Sequence, residues 1–407
     1  MQTSIDPNLL QTAAGKEAEA ILRSCVHCGF CTATCPTYQL LGDELDGPRG
    51  RIYQIKQILE GAEPALTTQA HLDRCLACRS CETTCPSGVR YHRLLEIGKA
   101  ELERRQPRSL AERIKRRVML SVIPYPTRFT PLLRLGQMAR PLMPPALKRR
   151  IPAWKTPGRV PTRPHNRTML VLNGCAQSGI APNINAAATR VLDRLGIRLQ
   201  GAPEAGCCGA MHHHMNDEAT GLGMARRNID AWWPMIEAGA EAIVMTASGC
   251  GTQVKEYGEL LADDPDYADK AIKVSSLTRD LSEILSEEDL GGLRLNGSHQ
   301  PSVAFHTPCS LHHGQQLNGR VEGILGQLGF TLTLVRDAHL CCGSAGAYSM
   351  LQPEIAGQLR KRKLTALLGG KPTRIATANI GCLTHLASGT DVEVLHWIEL
   401  LDSTESA

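Results

Sequence analysis

The segment CVHCGFCTATCP occupies residues 25–36, and a second copy of its pattern, CLACRSCETTCP, occupies residues 75–86. Both copies have the form C-x-x-C-x-x-C-x-x-x-C-P, and every cysteine of the second copy lies fifty residues after its counterpart. The short spacers let three thiolates of one loop face the same metal centre, whereas the longer gap and the proline turn the chain away. The repeated pattern therefore predicts two metal-sulfur centres that exchange one ligand each.

This spacing is the one that holds pairs of [4Fe-4S] clusters, where the fourth cysteine of each run binds the other cluster. We therefore expect two [4Fe-4S] clusters and two sets of four ligands. The first set is Cys25, Cys28, Cys31 and Cys85, and the second is Cys75, Cys78, Cys81 and Cys35. Zinc is the alternative, because paired C-x-x-C motifs also form tetrahedral zinc sites. A third cysteine at the same spacing and a closing Cys-Pro fit zinc poorly.

The composition agrees with metal binding in a reducing compartment. The chain has 407 residues, is 42% hydrophobic and contains 16 cysteines, all of which fall inside motifs. That usage favours metal ligands over disulfides, and the length allows two or three domains. The N-terminal residues lack the pattern of a secretory signal, and no apolar run approaches the roughly 18 to 20 residues of a membrane span. We expect a cytoplasmic protein that does not cross a bilayer by itself.

A second repeat occupies the carboxyl half of the chain. In each copy a single cysteine is followed, 32 residues later, by a Cys-Cys-Gly triplet and then by one more cysteine. The cysteines are Cys175, Cys207, Cys208 and Cys250 in the first copy, and Cys309, Cys341, Cys342 and Cys382 in the second. A repeat of this length predicts two similar structural units, each presenting one cysteine set, with the two sets facing each other.

Apolar stretches just before these cysteines predict the local structure. Strands are expected at residues 169–172, 242–245, 303–305 and 374–376, and helices at residues 185–195 and 319–328. Alternating strands and helices favour a parallel sheet, whose ligand sites lie beyond the carboxyl ends of the strands.

The predicted fold class is accordingly mixed, α+β and α/β, with a helical two-cluster ferredoxin-like domain followed by two duplicated α/β Cys-Cys-Gly units. The predicted segments are the two-cluster domain at 1–100, a basic proline-rich linker at 101–167, the first Cys-Cys-Gly domain at 168–297 and the second at 298–407.

The four thiols of each Cys-Cys-Gly unit could hold an iron-sulfur cluster, hold zinc, or act as redox-active thiols. Adjacent cysteines such as Cys207 and Cys208 are awkward for zinc, whose ligands usually come as C-x-x-C. Soft thiolates favour an additional cluster, with all eight cysteines of this half as candidate ligands. Zinc and dithiol chemistry remain open.

Basic charge is concentrated in the linker, which carries 17 Lys and Arg against three Glu between Glu101 and Arg167. Its prolines are expected to break any long helix. Because basic and apolar residues are interleaved, we expect either docking on an anionic membrane surface or an acidic partner, or a solvated linker. Nucleic-acid binding is not expected, since the aromatic content is 4% and no known nucleic-acid fold accompanies the charge.

The segments 25–36 and DGPRGRI at 46–52, with the Cys-Cys-Gly units behind them, resemble the family of glycolate oxidase iron-sulfur subunits over nearly the whole chain. The units also resemble those of anaerobic glycerol-3-phosphate dehydrogenase iron-sulfur subunits, heterodisulfide reductases and lactate-utilisation proteins. In heterodisulfide reductases the motif ends in C-x-x-C and can hold a five-cysteine cluster. Here Cys250 and Cys382 are followed by Gly-Thr-Gln and Leu-Thr-His, so the fifth thiolate is absent.

The resemblance implies that this chain is one subunit of a complex on the inner face of the cell membrane. The complex would be an acceptor-dependent 2-hydroxy-acid oxidoreductase. In it, flavoprotein subunits oxidise glycolate to glyoxylate, with D-lactate as another substrate, and this subunit passes the electrons to a quinone-linked acceptor. The chain has no G-x-G-x-x-G after a predicted strand and no phosphate-binding loop, so we expect no FAD and no catalytic residue on it. The alternative is a thiol or heterodisulfide reductase with catalytic Cys-Cys-Gly sites.

Two arginines of the segment 46–52 are further candidates. Arg49 and Arg51 are expected either to steady the negative charge of a cluster or only to begin a helix.

Overall fold

The structure is a computed structural model that describes residues 1–144, 148–149, 151–293 and 301–402. The chain forms two compact units, each made of two stretches of sequence. The first unit contains Met1–Arg116 and His339–Lys363, and the second contains the described residues of Arg117–Ala338 and Leu364–Ala407. None of the described helices is both long and apolar enough to span a bilayer.

The regular secondary structure described in the first unit is all helical. Its α-helices are Pro7–Leu10, Ala13–Ser24, Phe30–Ala33, Pro36–Leu41, Pro48–Leu59, Thr68–Asp73, Ser80–Thr83, Tyr91–Arg105 and Tyr348–Leu351, and a 3-10 turn covers Glu44–Asp46. Two more helices, Leu110–Val122 and Pro353–Leu368, continue from this unit into the second.

A small apolar core holds the first unit together. Leu22, Ile55 and Leu94 come from its three long helices and are each 0% exposed. Burying a side chain of this size contributes about 1.5 to 3 kcal/mol to folding. Cys25 and Cys81 pack against the same core, so the cysteine loops are supported by the longest helices of the unit.

The second unit contains two parallel four-stranded sheets of identical topology. The first sheet has the order β2-β1-β3-β4 and is formed by β1 (Arg167–Val171), β2 (Ile197–Gly201), β3 (Ile243–Met245) and β4 (Thr278–Asp280). The second has the order β6-β5-β7-β8 and is formed by β5 (Ser302–His306), β6 (Thr331–Leu332), β7 (Arg374–Thr377) and β8 (Glu393–His396). The sequence repeat is thus a repeat of structure, and the predicted mixed fold class is confirmed.

The central strands β1 and β5 pair in parallel with their neighbours. Arg167 of β1 lies opposite Ile197 of β2, and Val303 of β5 lies opposite Arg374 of β7. The strands are buried because helices cover the sheets, as parallel sheets require. In the first sheet, Trp232 is 0% exposed against the strands.

The helices of the second unit follow the strands in the alternation that the sequence predicted. The α-helices are Pro126–Ala139, Ala176–Ile180, Asn183–Arg194, Ala210–His214, Glu218–Glu237, Ser248–Lys255, Tyr257–Leu260, Ala268–Leu277, Leu281–Glu287, Arg320–Gln327, Ile380–Ala387 and Trp397–Asp402. Tighter or wider turns cover Arg140–Leu142, Gly291–Leu293 and Ser310–Gly314. The four predicted strands correspond to β1, β3, β5 and β7, and the two predicted helices are those at Asn183 and Arg320.

The prediction that prolines exclude long helices from the linker was wrong. Pro126–Ala139 is a helix of 14 residues with Pro131 inside it. The missing N–H of Pro131 would have bonded to the carbonyl of Thr127, and both residues are exposed, so water can satisfy that carbonyl.

Candidate iron-sulfur centres

The two cysteine loops of the first unit share one backbone conformation. His27 and Gly29 have φ angles of 56° and 85°, and their counterparts fifty residues later, Ala77 and Arg79, have φ angles of 49° and 59°. A left-handed conformation at a non-glycine residue costs roughly 1 to 2 kcal/mol. The strain recurs at the same places because both loops must bend sharply between cysteines to direct several sulfurs at one pocket.

The cysteines of the first predicted set line one pocket. Cys25, Cys28, Cys31 and Cys85 line a pocket that opens to solvent, with Cys81 at the same wall. Three of these thiols come from one loop and the fourth from the second loop.

The cysteines of the second predicted set line an adjoining pocket that also opens to solvent. Its lining includes Cys35, Cys75, Cys78 and Cys81. The two pockets have Pro48, Cys81 and Tyr91 in common. Four soft thiols around each of two adjacent pockets form a donor set that fits an iron-sulfur cluster in each.

Burial makes these thiols hard to ionise without a cation. Burial first, and then the neighbouring Cys25 and Cys28, raise the pKa of Cys31 to about 11. Burial likewise raises the pKa of Cys81 well above its usual value. Because metal ligands must be thiolates, binding of iron would have to supply the compensating positive charge.

A buried ion network lies against the second pocket. The Arg51 guanidinium, 1% exposed, donates to the carbonyl of His71 at 2.8 Å and lies 3.4 Å from the Asp46 carboxylate. His71 and Arg74 bond to the same carboxylate at 3.1 and 2.9 Å. Although burial alone would lower the pKa of Arg51, the nearby Cys75, Tyr91, Cys35 and Asp46 raise it, so the side chain stays cationic.

Sequence reasoning missed Tyr91 and the buried role of Asp46. The Tyr91 hydroxyl donates to the Cys75 sulfur at 3.6 Å, and its side chain borders both pockets. Tyr91 lies in no motif, and although Asp46 begins the segment DGPRGRI, only the folded unit shows that it is buried. Arg49, in contrast, is half-exposed beside the first pocket and is paired with Glu44 at 2.6 Å.

The first Cys-Cys-Gly set converges within the second unit. Each thiol is close enough to the next to affect its pKa, from Cys175 to Cys207, from Cys207 to Cys208, and from Cys208 to Cys250. The bond to Cys207, followed by burial, raises the pKa of the Cys175 thiol well above its usual value. Cysteines far apart in sequence thus meet beyond the carboxyl ends of β1, β2 and β3, where parallel sheets form their sites.

A buried polar network fixes the Cys207–Cys208 turn. Asn228, fully buried, donates to the carbonyl of Cys207 at 2.9 Å, and the Tyr257 hydroxyl donates to the carbonyl of Cys208 at 2.8 Å. Gly209 has a φ of 88°, and a Cβ there would lie 2.8 Å from the carbonyl oxygen of Gly221. The glycine of the motif is therefore required both by its backbone angle and by the close approach of another chain segment.

The second Cys-Cys-Gly set is divided between the compact units. Cys341 and Cys342 lie in the first unit, within His339–Lys363, whereas Cys309 and Cys382 lie in the second. The turn itself repeats the first copy: the N–H of Gly343 donates to the Cys341 sulfur at 3.4 Å, as that of Gly209 does to Cys207 at 3.5 Å.

Within the second unit, cysteine-bearing loops of the two sheets meet. The N–H of Gly249, next to Cys250, donates to the Asn379 side chain at 3.3 Å, and the amide of Asn379 donates to the Cys382 sulfur at 3.6 Å. The Ser248 and Ser310 hydroxyls are 2.8 Å apart. Cys250 and Cys382, in the first turns of the helices Ser248–Lys255 and Ile380–Ala387, and Cys309, next to Ser310, therefore belong to segments that contact one another.

Comparisons with known proteins agree with this architecture. The pattern of the 4Fe-4S dicluster domain matches residues 21–89, and that of the cysteine-rich domain known as CCG matches residues 169–255 and 303–387. A crystal structure of a hypothetical protein from Helicobacter pylori shares the fold, with a TM-score of 0.52 at 11% identity over 97% of this chain and 73% of that one. Fold and pattern together define an iron-sulfur protein with a dicluster domain and a duplicated cysteine-rich domain.

Full-length relatives narrow this class to one family. The chain is 58% identical to the glycolate oxidase iron-sulfur subunit of Escherichia coli K12, over 99% of this chain and 98% of that protein. It is 29% identical to a probable glycolate oxidase iron-sulfur subunit of Bacillus subtilis, over 93% and 91%. Lactate utilization protein A of Shouchella clausii is 24% identical over 57% of this chain and 97% of that protein. The chain belongs to the family of glycolate oxidase iron-sulfur subunits.

Proposed function

We propose that this chain is the electron-transfer subunit of a glycolate oxidase complex. Flavoprotein subunits of the complex oxidise glycolate to glyoxylate, and this chain carries the electrons to a quinone-linked acceptor. The observation that carries the proposal is the pair of adjoining pockets, each lined by the four cysteines of one predicted set. Adjoining one-electron centres can pass electrons from one to the next. The identity of 58% to a glycolate oxidase iron-sulfur subunit supports a role in such a complex.

The ligand sets follow the pockets. We assign one [4Fe-4S] cluster to Cys25, Cys28, Cys31 and Cys85, and the other to Cys75, Cys78, Cys81 and Cys35. Bound clusters supply reversible one-electron chemistry. The protein contributes the thiols, the buried cation Arg51, and a hydrogen bond from Tyr91 to the Cys75 sulfur. A donor near a ligating sulfur and a nearby cation both favour the reduced, more negative state of a cluster.

We assign further clusters to the Cys-Cys-Gly half. The first set, Cys175, Cys207, Cys208 and Cys250, is supported by the continuous chain of contacts between its thiols. The sequence repeat extends the same role to Cys309, Cys341, Cys342 and Cys382. These clusters would continue the electron path towards the acceptor.

The hydroxy acid is oxidised on another chain in this proposal. Hydride chemistry normally requires a flavin or nicotinamide, whereas clusters move single electrons. We therefore place FAD on the flavoprotein partners and leave the choice between glycolate and D-lactate to them.

We further propose that the protein is cytoplasmic and docks on the inner face of the membrane. In the helix Leu110–Val122, the residues Leu110, Ile114 and Val118 are 70%, 55% and 57% exposed and recur every four positions. This spacing places them on one face of the helix, and exposed basic residues lie beside them. An apolar stripe flanked by basic charge suits an anionic lipid surface.

The test compares two half-reactions of the purified complex. Replacing Cys28 with Ser should abolish glycolate-dependent reduction of a quinone, because one cluster loses a ligand, while reduction of the partner flavin by glycolate survives. Iron and acid-labile sulfide in the isolated full chain should fall in this variant but persist partly, since the other clusters remain. Cys250→Ser serves as the matched change in the Cys-Cys-Gly half.

Two outcomes would contradict the proposal. If flavin reduction also disappears while the partner subunits remain assembled, the chemistry involves this chain directly. If the oxygen-protected chain contains no iron and turns over disulfides without flavoprotein partners, it is a thiol reductase instead.

A further inference from the structure

The segment His339–Lys363 belongs to the first unit although its sequence lies in the second Cys-Cys-Gly copy. It carries Cys341 and Cys342, and the short helix Tyr348–Leu351 follows them. A cysteine pair of the carboxyl half therefore folds together with the two-cluster domain. Tyr348 makes one hydrogen bond between them.

Tyr348 bonds directly to the backbone beside a predicted cluster ligand. Its hydroxyl donates to the carbonyl of Arg74 at 3.1 Å, and Arg74 is covalently joined to Cys75. The side chain is only 7% exposed. Burial, followed by the nearby Cys75 thiol, raises the pKa of the Tyr348 phenol, so it remains a neutral donor at physiological pH.

The other end of the connection reaches the Cys-Cys-Gly turn. The N–H of Tyr348 donates to the carbonyl of Ala345 at 3.0 Å. Ala345 is two residues from Gly343, whose N–H donates to the Cys341 sulfur at 3.4 Å. A continuous series of covalent and hydrogen bonds thus joins the Cys75 backbone to the Cys341 sulfur, with three hydrogen bonds in it.

We propose that Tyr348 provides the electron route from the cluster bound by Cys75 to the cluster bound by Cys341. Electron tunnelling weakens less through bonded and hydrogen-bonded atoms than across a gap of the same length. One electron leaves the first of these clusters, which is oxidised, and reduces the second, and no proton or bond is transferred. This inference rests on the proposed function and adds to it the order of the centres.

The position of Arg51 is consistent with that order. This buried cation lies against the pocket of Cys35 and Cys75, and its charge interacts with both thiols. Its positive charge therefore favours an electron on the cluster at Cys35 and Cys75. The hydrogen bond of Tyr348 begins beside that same cluster. Tyr348 acts through the Arg74 carbonyl, to which its hydroxyl donates, rather than as a cluster ligand.

The test uses the complete complex with Tyr348→Phe, which removes the hydroxyl and keeps the ring. A photochemically generated deazaflavin radical delivers less than one electron per chain, and freeze-quench electron paramagnetic resonance follows the transfer between the two centres. We expect transfer to slow several-fold, with iron content and both reduction potentials unchanged. Tyr267→Phe is the matched control, because it also removes a hydroxyl that donates a hydrogen bond, to Asp230 at 2.8 Å.

The possible results separate the inference from the proposed function. An unchanged transfer rate in Tyr348→Phe overturns the inference while the role of the clusters stands. The inference also fails if Cys341→Ser leaves the paramagnetic signals of the full chain unaltered, since no accepting centre would then exist at that cysteine. Absence of all cluster signals from the wild-type chain would instead overturn the proposed function itself.

Discussion

Charge close to the cysteines distinguishes the two pockets of the first unit. Arg51 is almost completely buried at the second pocket, whereas Arg49 at the first is half-exposed and already paired with Glu44. Solvent and Glu44 screen the charge of Arg49. Arg51 also has an ion-pair partner, Asp46, but that carboxylate is shared with Arg74, so positive charge remains beside the thiolates where little solvent reaches. We therefore expect the second cluster to have the higher reduction potential of the two.

Replacing Arg51 with Gln should lower the reduction potential of the second cluster. At roughly 6 Å and an effective dielectric constant of about 20, one charge contributes about 3 kcal/mol, on the order of 100 mV for a one-electron couple. A redox titration followed by electron paramagnetic resonance measures the shift. Arg51→Lys should keep most of the potential, and Arg49→Gln should move the first cluster less. An equal shift in both clusters would contradict this assignment.

The glycine after each cysteine pair should be intolerant of a side chain. At Gly209 and Gly343 the φ angles are 88° and 90°, and a Cβ would lie 2.8 Å from a backbone carbonyl oxygen in both cases. Gly209→Ala should destabilise the second unit by about 1 to 3 kcal/mol. Urea unfolding followed by circular dichroism measures the change.

Gly223 offers the matched control for that substitution. It lies in the helix Glu218–Glu237 and has open space where a Cβ would stand. Gly223→Ala should therefore stabilise by roughly 0.5 to 1 kcal/mol, since alanine is the better helix former. The same sign of change at both positions would show that the turn is not strained as described.

At the scale of elements, the helix Leu110–Val122 has two different faces. Arg116 pairs with Asp73 at 3.3 Å, which attaches the helix to the rest of the first unit, and with Glu112 of the same helix at 2.8 Å. The opposite face leaves Ile114 and Val118 in solvent. A helix held by one face and exposing apolar side chains on the other can bind a lipid surface through the exposed face.

A double change of Ile114 and Val118 to Glu should weaken binding to vesicles of anionic phospholipid. Each loses an apolar contact of about 1 to 2 kcal/mol, so the affinity should fall at least about tenfold. Vesicle flotation measures it, and added salt should also weaken binding. Ile272→Glu is the control, because Ile272 is 59% exposed on a different helix. Equal effects of both changes would exclude a specific role for this helix.

At the scale of the whole molecule, duplication explains how the second unit holds its sites. Loops after β3 and β7 meet, and the N–H of Ser248 donates to the carbonyl of Ala378 at 3.1 Å. The buried His396 at the end of β8 bonds to the carbonyl of Thr246 at 2.8 Å and so links the two sheets. The segments after β3 and β7, which carry Cys250 and Cys382, thus lie together within this unit.

His396 should make the protein sensitive to acid. Burial lowers its pKa from 6.5 to about 3, so between these values the unfolded chain binds a proton that the folded chain does not. Stability is therefore retained above pH 6.5 and lost as the pH falls below it, by about 1.4 kcal/mol per pH unit. From pH 6.5 to 5 the loss from this group should be about 2 kcal/mol.

The measurement compares urea unfolding of the wild type and His396→Gln at pH 7 and pH 5. Gln can donate to the Thr246 carbonyl without titrating, so the variant should lose less stability on acidification. Asp280, whose pKa burial raises to about 6, acts in the opposite direction but contributes equally to both proteins. An identical pH dependence of the two proteins would contradict the proposed role of His396.

Residue types and their spacing were enough to predict the repeats, the strands before the cysteines and the mixed fold. Spacing is informative there because a C-x-x-C loop and a strand that ends at a glycine are local structures with few alternatives. Local pattern did not reveal Tyr91, Asn228 or Tyr257, because each acts on a cysteine at least sixteen residues away. Nor did it indicate that Pro131 would be accommodated within a helix.

The sequence by itself determined that this protein has two four-cysteine motifs of cluster type and a duplicated cysteine-rich half, since those are properties of spacing. Only the tertiary structure decided that Arg51 is buried beside the second pocket, that Tyr348 bonds next to Cys75, and that Cys341 belongs to the first unit. The physical reason is that burial and hydrogen bonding between distant segments depend on how the chain packs, and packing is not encoded in any short stretch of residues.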